Sequence, residues 1–257
     1  MRRPAVDVCF TPQEIRRVEV AVVVDVLRAT STIVQALAVG YPRVVCCGSV
    51  ATARELRAPG RVLAGESACV RVPDFELGNS PAAIATTGHR GEELVLATTN
   101  GSPAVVAASR AAERVMVASL LNLRAVLAAL PPDAGVAIVC SGTNGRPALE
   151  DVYVAGRLVA ALGGVPSDAA RVAERVASGY GTPLEPLASS EDAAQLRATG
   201  QERDIAWCAR ESMLDVVPEV LSFQDGVSVV GAAREHPIEI DLWKQRKNSL
   251  DLTKSSD

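Results

Sequence analysis

The chain predicts an α/β fold, a three-layer α/β/α sandwich with a largely parallel or mixed sheet and a C-terminal helical flank. Three observations lead there. Short apolar runs rich in β-branched residues, such as Val20 to Val24, alternate with short helical patterns, and strands separated by helices pair in parallel through crossover connections. The residues just after these runs are polar: Asp25, Glu66, Thr98 to Ser102, Ser119 and Ser141 to Asn144. That puts them on one edge of a parallel sheet, where such sheets bind ligands. Finally, 257 residues that are 48% apolar, with only three Phe, three Tyr and two Trp, can bury a sizeable core and must build it from Val, Leu and Ala.

Val20 to Val24 is unbroken and β-branched, so it reads as a strand buried on both faces. Asp25 stops it, Arg28 and the hydroxyls of Thr30, Ser31 and Thr32 follow, and Ile33, Val34, Leu37 and Ala38 set a helix near Thr32 to Val39 that Gly40, Tyr41 and Pro42 end. Arg43 to Cys47 predicts a second strand, Val50 to Ala58 a helix, and Arg61 to Ala64 a third strand running into Gly65 and Glu66. SACVRVPDFELGNSP has little periodicity, and its Pro73, Gly78, Asn79 and Pro81 mark a loop leading into a helix. Glu93 to Thr98 is a strand ending in TTNGS, Pro103 to Ala112 a helix, and Arg114 to Ala118 a strand. Ser119 and Asn122 then precede a helix to Leu130 that Pro131 and Pro132 close. Gly135 to Cys140 is a strand, SGTNGRPALE a turn, and Glu150 to Leu162 an apolar helix.

Beyond Leu162 the texture changes. Gly163, Gly164 and Pro166 break the helix, Ser167 caps another through Ala177, and a further one covers Glu191 to Thr199. Residues 163–212 therefore read as a helical insert or flank within a single domain spanning 1–235, which Val227 to Val230 completes with a last strand. Residues 236–257 predict a polar, partly ordered tail.

A net charge of -4, a pI near 5.4 and few aromatics speak against a nucleic-acid partner. No segment reaches the length of a membrane helix, and MRRPAVDVCF has two arginines but no apolar core of signal-peptide length. The expectation is a cytoplasmic protein without membrane contact. The six cysteines show no C-x-x-C pair and read as reduced core residues, with Cys140 at a strand end kept in view as a thiol. His89 and His236 are the histidines, and Lys244, Lys247 and Lys254, in the last fourteen residues, are the lysines. The body of the chain thus lacks a P-loop, a Schiff-base lysine and a His-rich zinc site. A cation for an anionic substrate there is an arginine, a metal ion or a helix terminus.

At the polar edge, Asp25 and Arg28 frame a strand-turn-helix whose Thr30, Ser31 and Thr32 either cap the helix or join its free N–H groups in holding an anion. Asn-Gly marks turns on its own, so TTNGS has a plain turn as its alternative. Several hydroxyl-, amide- and glycine-rich strand ends in one sheet shift the balance toward a phosphate held beside a divalent cation.

The run DVLRATST at 25–32, GE at 65–66, F-E-L-G-N-S-P at 75–81, TTNGS at 98–102, S-L-L-N at 119–122 and ED at 150–151 with Ala155 and Gly156 resembles the 2-phosphosulfolactate phosphatase family over roughly residues 8–235. The resemblance implies an α/β fold and Mg²⁺-dependent hydrolysis of 2-phosphosulfolactate, a small phosphorylated organic acid, in coenzyme M formation. One departure stands out: where the family carries glycines and a base soon after the GE, this chain has SACVRVPDF with Arg71 as its base. For such chemistry the candidates are Asp25, Glu66 and Asp151 as carboxylates around Mg²⁺, Asp25 and Arg28 as catalytic groups with Arg28 clamping phosphate, and Thr99, Asn100, Gly101 and Ser102 as neutral donors. Asn79 and Ser80 cap a helix and touch the ligand. Glu66 and Asp151 have a capping or surface role as their equal alternative, Glu150 is an alternative to its neighbour, and a surface salt bridge is the alternative for Arg28. A homo-oligomer is compatible with all of this.

Other readings fit less well. A haloacid dehalogenase phosphatase needs a second Asp where Leu27 stands, and an isochorismatase-like site needs a lysine that the body of the chain lacks. Phosphatases for other small hydroxy acids, and a non-catalytic phosphometabolite-binding module, remain as alternatives.

Overall fold

The computed structural model describes residues 4–87 and 91–233; His89, His236, the lysines and the expected tail lie outside them. The element order is β1 (Ala5–Cys9), β2 (Val18–Val24), α1 (Ala29–Ala38), β3 (Val44–Cys47), α2 (Val50–Glu55), β4 (Arg61–Ser67), β5 (Val70–Arg71), α3 (Pro81–Ile84), β6 (Glu93–Ala97), α4 (Gly101–Ala111), β7 (Ala112–Ala118), α5 (Leu123–Ala129), β8 (Val136–Cys140), α6 (Leu149–Ala161) and β9 (Val165–Pro166). The helices α7 (Asp168–Ser178), α8 (Leu184–Ser189), α9 (Glu191–Ala198) and α10 (Arg203–Cys208) follow, then the hairpin β10 (Pro218–Gln224) and β11 (Val227–Ala232).

These strands form one mixed sheet in the order β5-β4-β6-β3-β11-β10-β7-β2-β8-β1-β9. Strand β2 runs parallel to β7 and β8, and β6 runs parallel to β3 and β4. The apolar run of β2 is buried on both faces as expected. Val20, Val22 and Val24 join the core beneath α5, α6 and α7, while Ala21 and Val23 join the core beneath α1 and α4. Alternate residues thus serve two cores, which is why the run has no polar member.

Two features differ from the sequence expectation. Ala5–Cys9 is a strand paired with β8, though its exposed Ala5 and Asp7 give it only a short alternation. The last strand lies where Val227 to Val230 predicts it, but a second strand, Pro218–Gln224, precedes it. β10 and β11 insert as an antiparallel hairpin between β7 and β3 and join the two parallel halves. Sequence order cannot show such an insertion, because a strand carries no mark of its neighbours. In the flank, α7 packs on α6, and Gly156 lets the Ala173 carbonyl come closer than any Cβ would allow. No helix among the described residues is long and apolar enough to cross a membrane.

Candidate active site

Parallel strands place their carboxyl ends on one edge, and there β2, β4, β6 and β8 deliver Asp25, Glu66, Thr98 and Ser141. Above them lies a cavity of about 420 Å³, whose wall includes Asp25, Arg28, Glu66, Asn79, Thr98, Thr99 and Asn100. The helical flank closes it from the far side with Glu191, Asp192 and Gln195 of α9. The site therefore sits where two parts of the sequence, far apart in the chain, face each other.

Asp25 starts helix α1 with both its backbone and its side chain. Its Oδ1 accepts the Ala29 N–H at 2.9 Å, its carbonyl accepts the Thr30 N–H at 2.9 Å, and the Thr30 hydroxyl bonds back to that carbonyl at 2.8 Å. Ser31 donates to the Val26 carbonyl at 2.9 Å and Thr32 to the Asn79 carbonyl at 3.3 Å. All three hydroxyl residues are fully buried. They hold the turn and do not line the cavity, so the capping alternative describes where their hydroxyls go. Ser102 is similar: it trades hydrogen bonds with Thr98, the Thr98 N–H reaching Ser102 Oγ at 2.8 Å and the Ser102 N–H reaching Thr98 Oγ1 at 2.9 Å. Gly101 lies against Asp25. Ser80 caps α3 through the Ala83 N–H and turns its hydroxyl proton to Asp204.

Thr99 and Asn100 do line the cavity, and Thr99 is tied to Glu66. The Glu66 Oε1 accepts the Thr99 N–H at 2.8 Å, and Oε2 accepts the Cys69 N–H at 2.7 Å and the Thr99 hydroxyl at 3.2 Å. Glu66 thus fastens the β4–β5 turn to the TTNGS turn while forming part of the cavity wall. Asn79 is 4% exposed and its Oδ1 has no hydrogen-bond partner. A buried carbonyl oxygen on a cavity wall without a donor is costly unless something entering the cavity satisfies it.

Asp151 stands behind Asp25. Its Oδ1 accepts the Val26 N–H at 2.8 Å, and its Oδ2 accepts the Ser141 hydroxyl at 3.0 Å and the Gly142 N–H at 3.1 Å. The Ser141 hydroxyl gives its proton to Asp151 and also favours the charged form of Asp25. Burial pushes the Asp25 carboxyl up to about 6, with the Ala29 N–H and Ser141 opposing and the charges of Asp192 and Glu66 adding. Burial, then the charge of Asp25, raises Asp151 well above the usual range. Glu150 is raised by burial and by Asp151, and Asp192 by burial, although Thr143 donates to it at 2.6 Å. Among the described residues no three His, Cys, Asp or Glu side chains are gathered around one point as metal ligands. Asp25 and Glu66 share the cavity wall, and Asp151 does not reach it.

Arg28 is no surface salt bridge. It is 2% exposed, and its Nη1 donates to Asp204 Oδ2 at 2.7 Å and to Gln201 Oε1, with Nη2 at 3.4 Å from the Cys69 carbonyl. Glu191, Asp192, Gln195, Gln201 and Asp204 are the site residues that sequence reasoning passed over, whereas Ser141 and Thr143 belong to the polar strand edge that the sequence marks. In sequence, Asp192 looks like an ordinary acidic residue in the first turn of a helix, and Asp204 sits in a charged patch, QERD. Their only signal is spatial.

The profile of a family described as 2-phosphosulpholactate phosphatase matches residues 9–222. A Thermus thermophilus protein named probable 2-phosphosulfolactate phosphatase is 39% identical over 78% of this chain and 87% of its own. Proteins of that name from Pseudothermotoga lettingae and Carboxydothermus hydrogenoformans are 37% and 34% identical, over 83% and 89% of this chain and 94% and 98% of theirs. With its fold, its polar strand edge and these matches, the chain belongs to the 2-phosphosulfolactate phosphatase family.

Proposed function

We propose that this chain hydrolyses the phosphomonoester of 2-phosphosulfolactate to sulfolactate and phosphate, with Mg²⁺ held at the cavity. The observation that carries the reading, beside family membership, is the charge of the wall. Asp25, Glu66, Glu191 and Asp192 face the cavity, and the guanidinium of Arg28 is already paired with Asp204. A polyanionic substrate would be repelled from such a site unless a cation came with it.

The donors fit a hard divalent ion. Mg²⁺ is commonly held by one or two carboxylates, with water and substrate phosphate completing its shell. Asp25 and Glu66 would hold it, with the unpartnered Asn79 Oδ1 as a neutral oxygen. Bound there, it would neutralise charge on the phosphoryl oxygens. The chain's own residues do the rest. Ala29 N–H holds one oxygen of Asp25, leaving the other for the reacting centre. Asp151 and Ser141 support Asp25 from behind. Thr99 and Asn100 offer neutral polar groups to the ligand, and Arg28 offers the donors that Asp204 leaves uncommitted. Six free cysteines, five of them buried, suit a reducing cytoplasm. The substrate class is a small phosphorylated organic acid rather than nucleic acid, the pathway is that of coenzyme M formation, and a homo-oligomer is compatible with a cavity built from one chain.

Phosphate release from 2-phosphosulfolactate, phosphoglycolate and phospholactate, with EDTA and with Mg²⁺ or Mn²⁺ restored, tests this. Metal-dependent release with 2-phosphosulfolactate preferred is expected. Release unaffected by EDTA would remove the metal, a preference for another ester would change the substrate, and no release from any ester would leave a binding module.

A further inference from the structure

We propose that Asp204 is a positioning residue for this reaction: from the helical flank it aims the Arg28 guanidinium so that one edge of its fork faces a phosphate. The inference rests on the phosphatase reading for its catalytic meaning, and on the geometry alone for its structural content. A guanidinium has five N–H donors. Nη1 commits two, to Asp204 and Gln201, and Nη2 commits one to the Cys69 carbonyl. The Nε–H and the second Nη2–H have no partner among the described residues, and together they form a two-pronged edge that matches two phosphate oxygens. Arg28 lines the cavity.

Asp204 is placed to fix that edge. Its Oδ2 takes Arg28 at 2.7 Å, while its Oδ1 takes the Ser80 hydroxyl at 2.7 Å and the Ala82 N–H at 3.4 Å. It is 2% exposed, like Arg28. Gln201 adds a second brace, since its side-chain amide reaches both the Cys69 carbonyl and Thr199. The carboxylate thus joins the turn after β2, the start of α3 and helix α10 at one point. Every group bonded to it is a donor, so an Asn in its place must turn an N–H toward one of them. A buried guanidinium deprived of its carboxylate would also lose its charged partner, and only the neutral Gln201 and Cys69 oxygens would be left to hold its fork.

The test is a double-mutant cycle of Asp204→Asn and Arg28→Lys, read as kcat/KM and as Tm. If Asp204 acts through Arg28, each single change lowers kcat/KM by about tenfold or more, and adding Asp204→Asn to Arg28→Lys costs less than about threefold further. Equal losses in both backgrounds, or a lower Tm with kcat/KM within about threefold of wild type, would overturn it. Should Asp204→Asn not fold, Gln201→Leu removes one Nη1 partner and keeps the ion pair. It is expected to give a smaller loss that also vanishes beside Arg28→Lys, and a loss that persists there overturns the proposal. Calorimetry with inorganic phosphate and Mg²⁺ needs no turnover: binding weakened by Asp204→Asn supports positioning even if no ester is hydrolysed. Binding that is unchanged by the substitution, or absent in the wild type, refutes it.

Discussion

A Cβ on residue 101 would collide with both Asp25 Oδ2 and the Ala29 side chain. Glycine at this position lets helix α4 begin directly against the carboxylate from which α1 also begins, so the first turns of two helices meet at one acid. Helix N-termini carry partial positive charge, which partly offsets the burial of Asp25. Gly101→Ala should therefore push the two helix starts apart. A loss of about 1–3 kcal/mol of stability is expected from overpacking, together with lower kcat because Asp25 moves. Wild-type Tm and kcat in this variant would show that the two segments can separate without harm.

Asp25 itself should trade stability for function. Its carboxyl titrates at about 6 in the fold against 3.8 without it. Between those values the unfolded chain has released a proton that the folded chain keeps, so stability falls as pH rises through this window. Below it the carboxyl is neutral in both states, and above it the penalty is complete, on the order of 3 kcal/mol. Asp25→Asn retains an oxygen for the Ala29 N–H and removes the charge. In metal-free protein it should match the wild-type Tm near pH 4 and exceed it by several degrees at pH 7, while turnover falls by about a hundredfold or more. Equal Tm values at both pH values would show that the ionised carboxylate carries no such penalty. Adding Mg²⁺ at pH 7 should stabilise the wild type more than the variant.

Much of this was legible because the relevant signals are local. The β-branched run of β2 announces a doubly buried strand, and an acid at its end announces the functional edge. The same run could not say that β10 and β11 would part β7 from β3, since pairing order is set by which faces find cover. At the site, Asp25, Glu66, Asn79, Thr99 and Asn100 are placed on the wall by turns a few residues long, which sequence shows. Thr30, Ser31, Thr32 and Ser102 look alike in sequence, yet their hydroxyls serve backbone groups, and only the rotamer decides that. Asp192 and Asp204 arrive from α9 and α10, more than a hundred residues beyond Asp25, and no local pattern distinguishes them from ordinary helix-surface acids.

Cys140 ends β8 but is fully buried, and burial raises its thiol well above the ordinary value. A thiolate there would be poorly accessible and scarcely populated. Cys140→Ser should thus leave kcat within about threefold of wild type, though burying a hydroxyl in place of sulfur lowers Tm. Cys69 is half-buried on the cavity wall, and burial raises its thiol to about 11. Alkylation at neutral pH should be slow, and Cys69→Ala should retain turnover. Loss of turnover with a normal Tm in Cys140→Ser would instead make its thiol a reacting group.

Ser102 separates a ligand-binding hydroxyl from a structural one. It is fully buried, its Oγ accepts the Thr98 N–H, and its own N–H is taken by the Thr98 hydroxyl. The exchange closes the first turn of α4 and leaves the Ser102 hydroxyl away from the cavity wall. Ser102→Ala removes the acceptor for a buried N–H, at a cost of about 1–3 kcal/mol. It leaves Thr99 and Asn100 in the wall. A Tm lowered by several degrees is expected, with KM for the phosphorylated substrate within about threefold of wild type once the protein is assayed well below that Tm. A KM raised by tenfold or more at unchanged Tm would put the Ser102 hydroxyl on the ligand, and the turn would then have to open for substrate to bind.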